Sequence, residues 1–365
     1  MSVDAARAPA GSPAQPKHDD AAPRAAAASP VVARGGAAMK LDSRYVPLLG
    51  TIVVFALTAG YGSVAYTGFF SAQVFLNLLI DNAFLCIVGV GMTFVILSGG
   101  IDLSVGSVIA LTTMVSAALV EHHHWSAWQA IPLVLVIGTA FGALMGWLIQ
   151  RFRLQPFIVT LAGMFLARGL CYLISIDSIS ITDATYTAIS QARIPLWGGG
   201  ASITVGALIA LATLALGIWL AHTTEFGRTV YAIGGSEPSA LLMGLPVART
   251  TVLVYTFSGF CSALAGVVFT FYMLSGYGLH AVGLELDAIA AVVIGGTVLT
   301  GGSGYLVGSV LGVLVLGLIK TLIAFQGTLS SWWTKIVIGL LLLAFILLQR
   351  LVFARGDVAA ARRTQ

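Results

Sequence analysis

Charged side chains are scarce in this sequence. Only 9% of its 365 residues are Asp, Glu, Lys or Arg, whereas 58% are hydrophobic. Because soluble globular domains carry about a quarter charged residues, this composition excludes a water-soluble fold. The basic residues, which give a formal net charge of +4, are spread along the chain rather than gathered into a stripe with interleaved aromatics. A nucleic-acid-binding surface is therefore excluded as well.

Cysteine and catalytic motifs are also scarce. Cys86, Cys171 and Cys261 each lie in an apolar run without CxxC spacing, which argues against a disulfide framework or a thiolate metal site. The three consecutive histidines at 122–124 do not share one helix face and predict a solvated loop. No GxxxxGK[ST] phosphate loop is present, so any dependence on ATP must come from a partner chain. We expect neither catalysis, cofactor nor metal within this chain.

What the sequence has is a series of apolar segments of about twenty residues, the length a helix needs to cross a bilayer. They are closed by Gly, Pro, Ser or charge, and the predicted spans are roughly 47–66, 74–97, 105–120, 130–149, 157–175, 203–221, 251–273, 287–299, 304–325 and 333–353. The fold class predicted is all-α, a polytopic integral membrane protein with about ten transmembrane helices. This membrane domain covers residues 45–353, between a disordered cytoplasmic arm at 1–44 and a cytoplasmic tail at 354–365.

The third and eighth of these segments are short and interrupted by glycine. Short pieces of this kind are typical of half-helices, whose irregular backbone survives at membrane depth only beside protein or a watery cavity. We expect the transport pathway near these two segments.

Basic residues near the ends of the spans predict the orientation, because Lys and Arg are retained on the cytoplasmic side. Both termini are expected in the cytoplasm. The basic residues then fall into a cytoplasmic set, Lys40, Arg44, Arg151, Arg153, Arg228, Arg249, Arg350 and Arg355, and an outer pair, Arg193 and Lys335.

Two glycine series predict close helix packing. Gly138, Gly142 and Gly146 recur every fourth residue, and the series repeats at 304, 308 and 312. This spacing places the glycines on one helix face, where two backbones can approach closely.

Polar residues inside apolar segments are costly and therefore candidates for a substrate pathway. Asn77, Asp81 and Asn82 cluster in the second segment, Arg168 lies in the fifth and Lys320 in the ninth. Each also has a structural interpretation: the asparagines can join helices, Arg168 can pair with a carboxylate or bind carbonyls, and Lys320 can extend towards the membrane surface.

Three further carboxylates lie at predicted helix starts. Asp102 stands in SGGIDLSVGS at 98–107, and Asp287 follows Glu285 at the start of the eighth segment. A carboxylate there can accept free backbone N–H groups, and we favour this capping role for Asp102 and Asp287. A place in the substrate pathway is the alternative, which requires that these helices begin inside the membrane.

The longest internal cytoplasmic stretch is residues 222–250, here called the coupling loop. Its middle predicts a short amphipathic helix, because Ser236 can cap it, Pro238 lies just inside and Gly244 ends it. Ala240, Leu241 and Met243 form its apolar stripe. The helix either links two spans or docks into a groove of another protein.

Three separated motifs resemble the ribose-type monosaccharide permeases of bacterial ATP-binding-cassette (ABC) importers. They are SGGIDLSVGS at 98–107, FGR..YAIGG at 226–235 and ELDAIAAVVIGGT..TGG at 285–302, and the likeness runs from about 45 to 353. DNAFLCIVGVGMTFVILSGGIDLSVGSV and GTLSSWWTKI at 327–336 are similar to permease subunits of galactofuranose importers.

The resemblance implies a subunit that moves a neutral aldose across the inner membrane. It also implies four partners: an ABC ATPase subunit with duplicated nucleotide-binding domains, a second homologous permease, a periplasmic sugar-binding protein and membrane lipid. It supports the coupling loop as the site that meets the ATPase, through Glu225, Phe226, Gly227, Arg228, Gly234, Gly235, Ser239, Ala240, Leu241 and Gly244. Ser236 departs from the common pattern, in which related permeases often have Asn.

Two other classes of protein compete with this interpretation. An ion-coupled secondary transporter of a small polar solute would need a titratable carboxylate deep in a span and no docking helix. A channel or structural subunit would need a ring of pore residues and no ATP.

Overall fold

The computed structural model describes the backbone of residues 46–196, 200–327 and 332–361. The predicted arm at 1–44 lies outside these residues, as do the last four residues of the predicted tail. The helices are α1 (Val46–Ala65), α2 (Ala72–Asp81), α3 (Ala83–Leu97), α4 (Val105–Ala117), α5 (Ala127–Phe152), α6 (Pro156–Ile174), α7 (Ala184–Gln191), α8 (Val205–Thr223), α9 (Glu225–Gly235), α10 (Glu237–Leu242), α11 (Val247–Met273), α12 (Leu284–Ile294), α13 (Leu306–Gln326) and α14 (Trp332–Ala361). The strands are β1 (Ile179–Ser180), β2 (Arg193–Leu196), β3 (Ala201–Thr204) and β4 (Ser275–Gly276).

The all-α, polytopic expectation is confirmed. Eight of the described helices are long and apolar enough to cross a membrane, and a ninth span forms if α2 and α3, bent by 59° at Asn82, are counted together. The eighth predicted segment corresponds to α12, which has only eleven residues and begins three residues earlier than predicted. The last helix continues beyond the predicted end at 353.

Of the two segments predicted to be short, only the eighth is short in the structure. A π-helical turn, Ala118–His122, extends α4 to eighteen residues, which is long enough to span. The shortness expected for the third segment is therefore wrong. Irregular backbone nevertheless precedes α4, at 98–104, and follows α12, at 295–305.

Helix α11 packs mainly on α5, α3 and α4. The first glycine series makes the α5 contact close, as predicted, because a Cβ on Gly142 would lie 2.9 Å from the Cα of Gly259 and would overlap the carbonyl oxygen of Tyr255. In the second series, Gly308 and Gly312 pack on α12, whereas residue 304 lies before α13 with a φ of +156°.

A small cap of non-spanning elements covers the end of the bundle opposite the coupling loop. Strand β1 pairs with β4, and β2 pairs with β3, both antiparallel. Helix α7 lies outside all the predicted spans. Its N-cap is Asp183, whose carboxylate accepts hydrogen bonds from the N–H groups of Thr185 and Tyr186. Glu121 joins the cap to α4 by accepting from the Thr182 N–H at 2.6 Å. The histidines at 122–124 are exposed there.

Candidate functional site

The two irregular segments meet at the end of the bundle that carries the coupling loop. The N–H of Gly302 donates to the carbonyl of Leu97 at 2.9 Å, and so joins the second segment to the first. Gly99, Gly301 and Gly302 have φ values of +82°, +88° and +73°, which glycine adopts without steric cost. We call the paired segments, 97–104 and 295–305, the broken-helix junction.

Asp102 ties this junction to α11. Its side chain is only 3% exposed. One carboxylate oxygen accepts from the N–H and the hydroxyl of Ser104, at 2.9 and 2.7 Å, and the other accepts from the Ser258 hydroxyl at 2.7 Å. Asp102 therefore accepts a local N–H, but it does not cap α4, whose N-cap residue is Ser104. The preferred capping role is wrong in this respect, because the carboxylate is engaged by hydroxyls.

The capping role expected for Asp287 is also wrong. The N-cap of α12 is Gly283, with a φ of +81°, and Asp287 lies a full turn inside the helix. Its carboxylate lies 2.7 Å from the ammonium of Lys335 and 3.7 Å from that of Lys320. Because it faces two cations, Asp287 acts as the anion of a three-charge cluster. Lys320 accordingly contacts a carboxylate within the bundle.

Glu285 behaves differently from its neighbour. One of its carboxylate oxygens accepts from the Gly283 N–H at 3.2 Å, which is a local capping contact. The other oxygen is buried and has no hydrogen-bond partner among the described residues. Gly106 of α4 packs so closely on this oxygen that a Cβ there would overlap it. Glu285 thus lies where the start of α12 meets the start of α4.

Arg168 binds backbone carbonyls, one of the two structural roles expected of it. Its guanidinium donates to the carbonyls of Gly278 and His280 at 2.6 and 2.7 Å. These carbonyls belong to the irregular stretch between β4 and α12. Arg168 therefore holds the backbone that leads into the short helix.

An outer cavity of about 340 Å³ lies beside the cap and brings some of the predicted pathway residues together. Asn77 and Asp81 line it, with Arg193 and Tyr272 opposite. The Tyr272 hydroxyl and Arg193 are both near enough to interact with the Asp81 carboxylate. The cavity thus combines amide, carboxylate, guanidinium and phenol groups, which can all bind hydroxyls.

Asn82 does not share this arrangement. It is 6% exposed, and its amide donates to the carbonyl of Leu78 at 2.9 Å and packs against Gly317. The structure places it between α2 and α3, where it supports the bend rather than lining the cavity.

The coupling loop folds into α9 and α10, and the predicted caps are present. The Ser236 hydroxyl accepts from the Ser239 N–H at 3.3 Å, and Gly244 ends the stretch with a φ of +75°. Ala240 is fully buried, which separates it from Leu241 and Met243, the exposed members of the predicted apolar stripe. The outward apolar surface, here called the docking face, consists of Leu241, Leu242 and Met243, which are 56%, 90% and 67% exposed.

Beside the docking face lies a second cavity, of about 610 Å³, between α9 and α11. Glu225, Phe226 and Arg228 line it from α9, and Arg249 lines it from α11. Gly227 packs on the end of α8, where a Cβ would overlap the carbonyl of Ala221. The predicted coupling residues thus separate into an exposed set and a packed set.

The three motifs that carry the family resemblance meet in space. Gly234 of the second motif packs against Leu97, which immediately precedes the first motif, and against Gly302 of the third, and a Cβ on Gly234 would overlap the backbone of both. The ring of Phe226 also packs on Phe94 of α3, with centroids 5.6 Å apart. The positions of the three motifs in the sequence gave no indication that they would meet in the structure.

Several residues of the site escaped the sequence reasoning. Ser258 and Tyr272 are ordinary members of an apolar helix, and only their partners 156 and 191 residues away give them a role. Arg193 and Lys335 were recognised only as outer basic residues. The one available signal was that basic residues are rare on the outer side, since an isolated charge at a membrane boundary is costly without a partner.

Comparison with known proteins agrees with this architecture. Residues 74–346 match the family described as branched-chain amino acid transport system / permease component. The chain is 53% identical over 307 residues to the inner membrane ABC transporter permease protein YjfF of Escherichia coli (strain K12), covering 84% of this chain and 92% of that protein. It is 44% identical over 322 residues to the fructose import permease protein FruG of Bifidobacterium longum, covering 87% and 94%. It is 38% identical over 279 residues to the ribose import permease protein RbsC of Haemophilus influenzae, covering 76% and 85%. No solved structure matches the chain.

Proposed function

The chain belongs to the permease-component family of ABC importers, and from that premise we propose that it is the membrane-spanning subunit of a monosaccharide importer whose substrate is galactofuranose. Relatives named for fructose and ribose import support the sugar class. Galactofuranose rests on the similarity of the stretches 81–108 and 327–336 to permeases of that type. Of the second stretch, residues 328–331 lie outside the described part of the chain.

The observation that carries the proposal is the docking face. Leu241, Leu242 and Met243 together form an exposed apolar patch at the end of a helix of only six residues, and such patches mark protein interfaces. The chain belongs to an ABC permease family and has no phosphate loop of its own, so the partner that we propose for this face is the ATPase. The neighbouring cavity, with Glu225, Arg228 and Arg249, supplies charges for the rim of such an interface.

Transport requires three further partners in this proposal: a second homologous permease, a periplasmic sugar-binding protein and the lipid bilayer. Both termini then lie in the cytoplasm, on the side of the docking face. This orientation agrees with the cytoplasmic placing of Arg228 and Arg249.

We place sugar contacts in the outer cavity, at Asn77 and Asp81. A neutral sugar is held by amide, carboxylate and hydroxyl groups and by aromatic rings, and the cavity adds Tyr272 and Phe84. Four further residues support the pathway by fixing the starts of α4 and α12. They are Asp102, Arg168, Glu285 and Asp287.

A branched-chain amino acid is a second candidate substrate, because the family's description names it. A zwitterion needs one group of each charge, and Asp81 and Arg193 stand together in the outer cavity. The names of the relatives favour the sugar.

The test is uptake into proteoliposomes that hold this chain with a second permease and the ATPase, with the binding protein outside. Labelled galactofuranose, ribose and leucine are compared. Uptake of galactofuranose that needs internal ATP and external binding protein supports the proposal. Uptake by this chain alone, driven by a proton or sodium gradient, would establish the secondary transporter.

Two variants connect the docking face with transport. Leu241→Asp places a charge on the face, and Gly244→Val forces a β-branched residue into a left-handed conformation. Both should abolish uptake while the protein still reaches the membrane. Leu241→Met, which keeps an apolar side chain of similar volume, is the control and should transport normally. Unchanged uptake in Leu241→Asp and Gly244→Val removes the loop from the mechanism.

A further inference from the structure

Helix α9 touches the broken-helix junction directly at two points. The hydroxyl of Tyr231 donates to the carbonyl of Gly304 at 2.9 Å. One turn later, Gly234 packs on Leu97 and Gly302 without room for a side chain. The two points lie on the two segments that lead into α4 and out of α12.

The docking face and these two contacts belong to one packed unit. Ala240 of α10, Ile233 of α9 and Val247 of α11 form a small buried core, with exposed fractions of 0%, 6% and 2%. Because interiors are close-packed, a force on α10 moves α9 with it rather than being absorbed between the two helices.

The junction in turn behaves as one piece. Its two segments share the hydrogen bond from Gly302 to Leu97, so a displacement of one displaces the other. Asp102 then passes the displacement to α11, and Thr297 and Thr93 connect with Ser309 of α13 at 3.5 and 2.8 Å.

We propose that Tyr231 and Gly234 are the positioning residues through which the coupling loop moves the broken-helix junction, so that ATP hydrolysis in the partner is converted into movement of the start of α4 and the end of α12. This inference rests on the proposed function. Neither residue touches sugar or nucleotide. Their role is to keep α9 and α10 in a fixed position relative to the junction.

The Tyr231 contact is suited to a permanent link. Burial raises the pKa of the Tyr231 hydroxyl to about 12, so the group stays protonated and donates throughout the physiological range. The carbonyl of Gly304 cannot titrate either. The link therefore does not open with pH, and only a change of position can break it.

The test measures the number of sugar molecules transported per ATP hydrolysed by the complete importer in proteoliposomes. A defect in folding or assembly lowers both rates together and leaves this ratio unchanged. Tyr231→Phe removes one hydrogen bond and keeps the ring, and its ratio should fall about fivefold to tenfold, the effect of one such bond. Tyr61→Phe makes the same chemical change on an exposed tyrosine of α1 and should leave the ratio within twofold of the wild type.

Two neighbouring glycines provide the second comparison. Gly234→Ala forces α9 away from the junction, whereas Gly235→Ala meets open space. The ratio should fall at least tenfold in the first and stay within about twofold in the second. If Gly234→Ala does not assemble, Tyr231→Phe alone decides.

The outcomes separate the two proposals. A wild-type importer that needs no ATPase overturns the proposed function and with it this inference. An ATP-driven wild type whose ratio is unchanged in Tyr231→Phe, or whose transport and hydrolysis fall in parallel, leaves the function standing and overturns the inference alone.

Discussion

Removing the hydroxyl of Ser258 should destabilise the protein more than its small volume suggests. Ser258 is 1% exposed, and its hydroxyl is the only donor among the described residues to one oxygen of Asp102, at 2.7 Å. In Ser258→Ala this oxygen remains buried without a partner. A hydrogen bond to a charged group contributes about 1.5–3 kcal/mol, and an unsatisfied buried acceptor costs a similar amount. We expect a loss of about 2 kcal/mol.

The chain offers a matched control one turn along the same helix. Ser262 is also 1% exposed, but its hydroxyl donates to the carbonyl of residue 258 in its own helix, at 2.8 Å. That carbonyl already belongs to the helix ladder, so little is lost when the hydroxyl is removed. Ser262→Ala should therefore change stability by less than about 0.5 kcal/mol.

The assay is reversible unfolding in mixed micelles with an increasing fraction of denaturing detergent. A difference of about 2 kcal/mol raises the unfolding equilibrium constant by about 30-fold, since 1.4 kcal/mol is a factor of ten. Equal losses in both variants would mean that the volume of the hydroxyl matters and not its acceptor. No loss in Ser258→Ala would mean that Asp102 finds another donor, and the proposed tie between the junction and α11 would be refuted.

Three further results are expected. Gly142→Ala should lower stability by about 2 kcal/mol through overlap with Tyr255 and Gly259, whereas Gly169→Ala, which meets open space on α6, should gain up to about 1 kcal/mol from helix propensity; thermal unfolding in detergent measures both, and a stable Gly142→Ala would contradict the close packing of α5 on α11. Asp287→Asn should cost less than about 1 kcal/mol, because Lys320 and Lys335 are 41% and 52% exposed, and added salt should shrink the difference; a salt-independent loss would show that the cluster is shielded from solvent. Ser236→Ala should weaken binding of the ATPase about fivefold through loss of about 1 kcal/mol of capping, while Ser236→Asn keeps it; equal affinity in all three proteins would show that α10 needs no cap to dock.

The local features of the fold were predictable because they depend on neighbours in sequence. Ser236, Pro238 and Gly244 define α10 by rules that act within one helical turn, and the structure has the helix where they indicate. The apolar segments likewise gave the spans, since the length and composition of a helix decide whether it can cross a bilayer. The eighth segment was predicted to be short and interrupted by glycine, but its predicted bounds ran to residue 299, past Gly295, which is the C-cap of α12.

Long-range partners were not predictable in the same way. Asp102 precedes a helix, and its position therefore suggested a cap, but Ser258 lies 156 residues away and nothing local identifies it. Asp287 failed as a cap for a related reason, since Lys335 supplies a full charge at 2.7 Å, a stronger partner than the N–H groups of the first turn. Ala240 shares the predicted apolar stripe with Leu241 and Met243, because helical spacing alone does not distinguish the inner edge of a short helix from its outer face.

The buried carboxylates bear on the choice between an ATP-driven importer and an ion-coupled transporter. On sequence alone the carboxylates were expected to cap helix ends, which disfavoured the ion-coupled class. The structure instead buries Asp102 and Glu285 beside broken helices, where an ion-coupled transporter would also hold them. Their position therefore does not separate the two classes. The coupling loop does, because an ion-coupled transporter has no use for a capped helix that exposes three large apolar side chains while its inner side is locked to the same broken helices. A carboxylate that carried a coupling ion would also need to exchange with water. Both oxygens of Asp102 are already engaged, one by the N–H and hydroxyl of Ser104 and the other by the hydroxyl of Ser258.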